Sequence, residues 1–144
     1  MALKKRTRYI LLGILAVGIV GGIYAYTEYN RKPADLSGAK PDIVVTATQL
    51  LSEYSKDEKS ANAKYLNKVT SVRGQLKSID KDHTGAISLA LETGDPIAGV
   101  SCELDPRHTS DADRVHVGDS ITITGTCAGM LTDVVLNRCS VEKK

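Results

Sequence analysis

Three cysteines, Cys102, Cys127 and Cys139, carry the side chains whose chemistry depends most on the compartment. Under oxidising conditions two of them can join as a disulfide, leaving the third unpaired; otherwise all three act as small apolar groups. Three histidines, His83, His108 and His116, accompany them, but neither a Cys-x-x-Cys nor a His-x-x-x-His spacing occurs. Metal binding is therefore not expected, and the histidines read as loop or surface residues. Serines, histidines and acids are present without a nucleophile motif, a phosphate loop or a paired-carboxylate signature. Asp119 and Asp133 read as turn residues. The expectation is a protein that is not an enzyme, with no catalytic residue, cofactor or metal.

Binding of a polyanion needs a positive track, and binding of single strands adds aromatic side chains that stack on bases. From Lys68 to Lys144 there is no Phe, Trp or Tyr, and nine basic residues face eleven acidic ones. Each missing stack forgoes about 1 to 3 kcal/mol per base. The formal charge of +2 misleads, because Lys4, Lys5, Arg6, Arg8, Arg31 and Lys32 crowd the front of the chain. Pro33 to Lys144 holds thirteen basic and sixteen acidic residues, a net of −3. Arg73 and Lys77 share a strand parity and form a candidate ligand face, although opposite charges interspersed around them equally describe a solvated surface.

The elements that position these residues begin after an apolar segment. Residues 1–8 form a basic cytoplasmic segment and 9–29 a transmembrane signal anchor. Tyr9 to Tyr26 holds no charged residue, and as a helix it spans about 27 Å, close to the thickness of a bilayer core. The basic cluster before it favours a cytoplasmic N-terminus, which places the rest of the chain on the periplasmic or extracellular side. A cleaved secretory signal starts in a similar way, but Tyr24-Ala25-Tyr26-Thr27-Glu28 is bulky where a small-x-small site is required. No cysteine follows the run to accept a lipid. Gly18 and Gly22 offer a small-x-x-x-small face for a helix-mediated homodimer, and Gly is also simply common in membrane helices.

Residues 30–45, with Pro33, Pro41 and Gly38, read as a linker. Residues 46–144 then form one domain with two short helices at its start. Thr46 and Gln49 make a capping-box pattern, and Ala47, Leu50, Leu51 and Tyr54 recur at helical spacing. Asp57-Glu58 opens a second short helix ending near Leu66, and Tyr54 and Tyr65 are expected in the core. The period then changes to two. Strands are expected over Val69 to Ile79, Ile87 to Leu91, Ala98 to Leu104, Ser120 to Cys127 and Asp133 to Val141. Gly74 is expected to mark a bulge or bend in the first. Asp105 to Val115 loses the alternation and reads as a helical link capped by Thr109 or Ser110.

Five strands with a helical link between the third and fourth is the layout of an OB-fold, a five-stranded Greek-key barrel, here all-β with small α additions. Ala61-Asn62-Ala63-Lys64-Tyr65-Leu66-Asn67-Lys68-Val69 before Val72-Arg73-Gly74, Gly99-Val100-Ser101-Cys102, Gly118-Asp119 before Ile121 to Cys127, and Asp133-Val134-Val135-Leu136 with Cys139 stand in order. On these residues the chain resembles the tRNA-anti-like OB-fold proteins, bacterial and envelope-associated. The resemblance implies kinship to tRNA-binding OB domains and assigns neither substrate nor catalytic residues.

In an OB barrel the third and fifth strands adjoin, which favours a Cys102–Cys139 bridge. A regular hairpin turning near Met130 puts Cys139 opposite Ile121, about 20 Å from Cys127 along the strand and beyond disulfide reach. Three buried thiols remain the alternative. The function expected is a membrane-anchored, extracytoplasmic binding or scaffolding module whose ligand is a protein or envelope component. The alternative is binding of single-stranded nucleic acid or tRNA. Oligosaccharide binding, known for OB-folds, is disfavoured by the missing barrel aromatics.

Overall fold

The computed structural model describes residues 5–31 and 35–142, which fall into two units divided after Ala34. The first holds helix α1, Lys5–Tyr29. Over Leu12–Tyr29 its mean hydropathy is 1.3 and none of that stretch is buried, so it is long and apolar enough to cross a membrane. Gly18 and Gly22 have open space where a Cβ would stand. Residues 1–4, Lys4 of the basic cluster among them, lie outside the described residues.

The second unit is a mixed β-barrel of OB type with short helices. Its elements run β1 Ile43–Thr46, α2 Ala47–Lys56, α3 Glu58–Tyr65, β2 Val69–Lys81, β3 Ile87–Leu91 and β4 Val100–Leu104. A 3-10 segment, Pro106–Arg114, then leads to β5 Ser120–Met130 and β6 Val134–Val141. The sheet order is β1-β2-β3-β4-β6-β5, and β2 pairs with β5 to close five strands into a barrel. The β4–β6 pair is parallel, while the other barrel pairs are antiparallel. The five strands and the helical link therefore occur where the alternation of the sequence places them.

Alternation decides what lies inside. Ile87, Leu89 and Leu91 point inward while Ser88 and Ala90 do not, and Val100, Cys102 and Leu104 repeat the pattern across the ladder. Helix α2 closes the core with Leu50, Leu51 and Tyr54, and Tyr65 of α3 stacks on Tyr54 at 6.0 Å between ring centroids. Both tyrosine rings are buried, as their place in the apolar stripes predicts.

Three details differ from expectation. The stretch read as a linker contains β1, which pairs in parallel with Thr70 to Arg73 of β2. Just before it, Leu36 is buried, and Asp42 bonds Val69 through backbone and side chain. The shift in the β2–β3 register falls between Leu76 and Ser78 instead of at Gly74. Gly74 serves close packing: a Cβ there would stand 3.1 Å from Ala47 Cβ, so the missing side chain lets α2 settle on the strand. The 3-10 segment is capped by Asp105, not by Thr109 or Ser110, with Pro106 in its first turn. At α2 the Thr46 hydroxyl accepts from Gln49 N as predicted, but the Gln49 side chain turns to Glu53, so the capping box is only half made.

Candidate functional site

Among the described residues, the places where a ligand could sit include two concave regions and one sheet face. The larger concavity, about 760 Å³, opens where β5 begins, between the end of the 3-10 segment and the end of β6. Arg73 reaches it from β2, Arg114 from the 3-10 segment, Ser120 and Thr122 from β5, and Asp111, Asp119 and Glu142 supply acid. Strand pairing explains the meeting: Arg73 lies opposite Thr122, and Glu142 N donates to Thr122 O at 2.9 Å.

The acids of this groove are engaged. Glu142 Oε1 accepts from Ser71 Oγ at 2.9 Å and Thr124 Oγ1 at 2.7 Å. Asp111 Oδ1 stands 3.6 Å from Arg114 Nη1, and its Oδ2 stands 3.8 Å from His108 Nδ1. The other ring nitrogen of His108 bonds Asp35 Oδ1 at 2.8 Å. A Ser37 N–H bond, helped by His108, holds the Asp35 carboxyl below its ordinary range. Nearby, Asp105 accepts from Arg107 Nε at 2.7 Å and Nη2 at 2.6 Å. That guanidinium holds the Asp105 carboxyl far below the usual carboxylate range. Two arginines thus share the groove with three carboxylates, so its charge is mixed and its net field small.

Arg73 and Lys77 both point outward from β2 but do not act as one patch. Arg73 enters the groove, whereas Lys77 Nζ pairs with Glu92 Oε2 at 3.8 Å. Four steps along the strand separate them, about 13 Å. The outward row on β3 and β4, the face where OB domains commonly take extended ligands, consists of Ser88, Ala90, Ser101 and Glu103. It offers neither a ring nor a positive charge. The second concavity, about 360 Å³, lies between α3 and the β5–β6 hairpin and is lined by Leu66, Met130, Leu131 and Val135. Here Leu131 is 91% exposed, and Asn62 Oδ1 is buried without a hydrogen-bond partner. No residue pattern announced this apolar hollow, because α3 and the hairpin are distant in sequence.

The cysteines are all buried and carried as thiols. Strands β4 and β6 adjoin as expected, and the neighbouring Cys102 thiol together with burial pushes the Cys139 thiol well up. The expected β5–β6 register needs correction. The hairpin turns over Leu131 to Asp133, with Met130 opposite Val134, so Cys139 comes level with Gly125 and not Ile121. Cys127 is two residues from that level, so strand distance alone does not separate it from Cys139. Its hydrogen-bond partner is instead the Tyr54 hydroxyl, at 3.3 Å. Burial and this thiol together push the Tyr54 phenol above its ordinary range. Among the described residues, no group of three His, Cys, Asp or Glu side chains is placed to hold a metal ion.

The model of the tRNA_anti-like family matches residues 1–141 of the chain. This protein is a member of that family. Of solved structures, it is similar to the crystal structure of a "putative nucleic acid-binding lipoprotein" from Klebsiella pneumoniae subsp. pneumoniae MGH 78578. The two are 20% identical with a TM-score of 0.60, over 78% of this chain and 100% of the other. At that identity the likeness establishes the shared fold. None of the curated proteins compared matches the chain. In this chain the larger groove brings Arg73 and Arg114 together.

Proposed function

We propose that this tRNA_anti-like protein is a non-catalytic binding or scaffolding module, held at the cell envelope by α1, whose OB domain faces away from the cytoplasm and engages a protein or envelope component. The observation that carries the choice of ligand class is the fate of the aromatic residues. Tyr54 and Tyr65, the only aromatic residues beyond α1, are both consumed by the core. No Phe, Tyr or Trp ring is left on the barrel surface to stack on a base. The part from Pro33 onward is also net acidic, which lowers the local concentration of a polyanion. The mixed charges and hydroxyls of the groove suit the polar rim of a protein ligand, and the apolar hollow beside Leu131 suits a side chain of such a ligand.

The second reading is binding of single-stranded nucleic acid or tRNA, and the comparisons favour it over the first. The similar Klebsiella structure is titled a "putative nucleic acid-binding lipoprotein", and the family name points the same way. In this chain such binding would rest on Arg73 and Arg114, aided by the Ser120 and Thr122 hydroxyls.

A fluorescence-anisotropy titration with labelled single-stranded oligonucleotide and tRNA at low salt separates the two. No measurable affinity is the expected outcome. Affinity that falls with salt at a slope of about −0.7 per phosphate contact, and is lost in the Arg73→Glu, Arg114→Glu double variant, would establish the second reading. A photo-crosslinker at position 122 in intact cells should capture a protein partner in the first case.

A further inference from the structure

The sequence separates Cys102 and Cys139 by the whole of the 3-10 segment and β5, yet the barrel brings them to one seam. Leu136 of β6 lies opposite Cys102, and Cys139 lies opposite Leu104, so the two thiols stand one inward step apart on neighbouring strands. Between these pairs β6 carries one residue more than β4, and Arg138 absorbs it with a left-handed φ of 55°. That bulge turns Cys139 inward. Both cysteines are fully buried, on neighbouring strands of one seam. Gly125 of β5 leaves the room that Cys139 occupies, since a Cβ there would stand 2.5 Å from its Sγ. Cys127, by contrast, is taken up by the Tyr54 hydroxyl. The seam that the pair spans is the parallel one, the slightly weaker kind of strand pairing.

We propose that Cys102 and Cys139 close as a disulfide while the barrel folds, locking the β4–β6 seam, and that Cys127 remains a thiol. This rests on the reading that the domain faces an oxidising compartment. The oxidant is a disulfide, either of a dithiol-oxidase protein or of a small molecule such as oxidised glutathione. One cysteine thiolate attacks it and displaces one donor thiol. The second thiolate attacks the mixed disulfide, the Cys102–Cys139 bond forms, and the other donor thiol leaves. Two electrons pass to the donor, and the two protons lost by the cysteines end on its thiols. Because both sulfurs are sealed in the folded barrel, the exchange precedes closure, and the finished bond is shielded from reductants.

The test uses the full chain in detergent, unfolded and reduced, then refolded in a mixture of reduced and oxidised glutathione. Thiols are trapped with a maleimide in denaturant and counted by intact mass. One trapped thiol per chain is expected, together with a cross-linked peptide pair holding Cys102 and Cys139. Cys127→Ser should leave none trapped, and Cys102→Ser or Cys139→Ser should leave two. Three trapped thiols in a chain that circular dichroism and protease resistance report as folded, or a bridge that includes Cys127, would overturn the pairing. The same trapping on intact cells tests the compartment separately. Three free thiols there, against one after refolding, would refute closure in the envelope while leaving the pairing itself supported.

Discussion

Asp105 follows β4 and does two jobs with one carboxylate. Its side chain caps the 3-10 segment through Arg107 N at 3.0 Å and receives the Arg107 guanidinium at two further donors. The acid is almost fully buried while the arginine side chain is 45% exposed, so the pair is anchored on one side and solvated on the other. The Asp105 pKa is depressed in the folded state, so its contribution is complete above the unfolded value near 3.9 and is lost as pH falls through the folded value. Asp105→Asn keeps the cap and loses the charge-assisted bonds. It should lower the unfolding free energy at neutral pH by about 1 to 2 kcal/mol. The same substitution should flatten the acid limb of a denaturation series taken below about pH 4. An acid limb identical to that of the unsubstituted protein would show that the pair contributes nothing to folding. The choice of Asp105 over Thr109 or Ser110 as cap was hidden in sequence, because all three residue types are good caps and only the end of β4 selects one.

Strand β1 and the residues before it show how an element with little local signal acquires a role. Asp35 to Asp42 has the proline, glycine and charges of a tether, yet Leu36 is 7% exposed and Val45 in β1 is 5% exposed. Four residues of β1 could not hold a strand alone; the exposed edge of β2 supplies their hydrogen-bond partners. Leu36→Ala should therefore cost about 2 kcal/mol in chemical denaturation, at the lower end for a buried leucine. No change in the midpoint would mean that this stretch behaves as a free linker. The long strand β2 was legible from Val72, Leu76 and their alternation, but Gly74 was misread. A glycine inside a strand signals equally a bulge or a close neighbour, and Ala47 of α2, far off in sequence, decides between them.

At the scale of the whole molecule, one long apolar helix and one barrel are joined through the residues around Ala34. Membrane attachment through α1 predicts that full-length protein stays with the membrane pellet after alkaline extraction and keeps its original N-terminus when sequenced. Recovery of a chain beginning after Tyr29 in the soluble fraction would mean that the segment is a cleaved signal. Attachment and ligand choice are separate matters, since a barrel held near a membrane meets envelope proteins at high effective concentration whatever its groove prefers. The mixed charge of that groove, drawn from β2, β5, β6 and the 3-10 segment, arises only when the barrel closes.

Local patterns alone determined the order of elements: the apolar run of α1, the helical stripe ending in Tyr54, and the period-two stretches that became β2 to β6. These signals lie within a few residues of one another, and burial of one face enforces them. Tertiary structure decided the rest. The parallel β1, the bulge at Arg138 that turns Cys139 inward, and the groove shared by Arg73 and Arg114 depend on partners tens of residues away, and the β5–β6 register depends on where the hairpin turns. Strand pairing across the barrel, which no single stretch encodes, sets those distances.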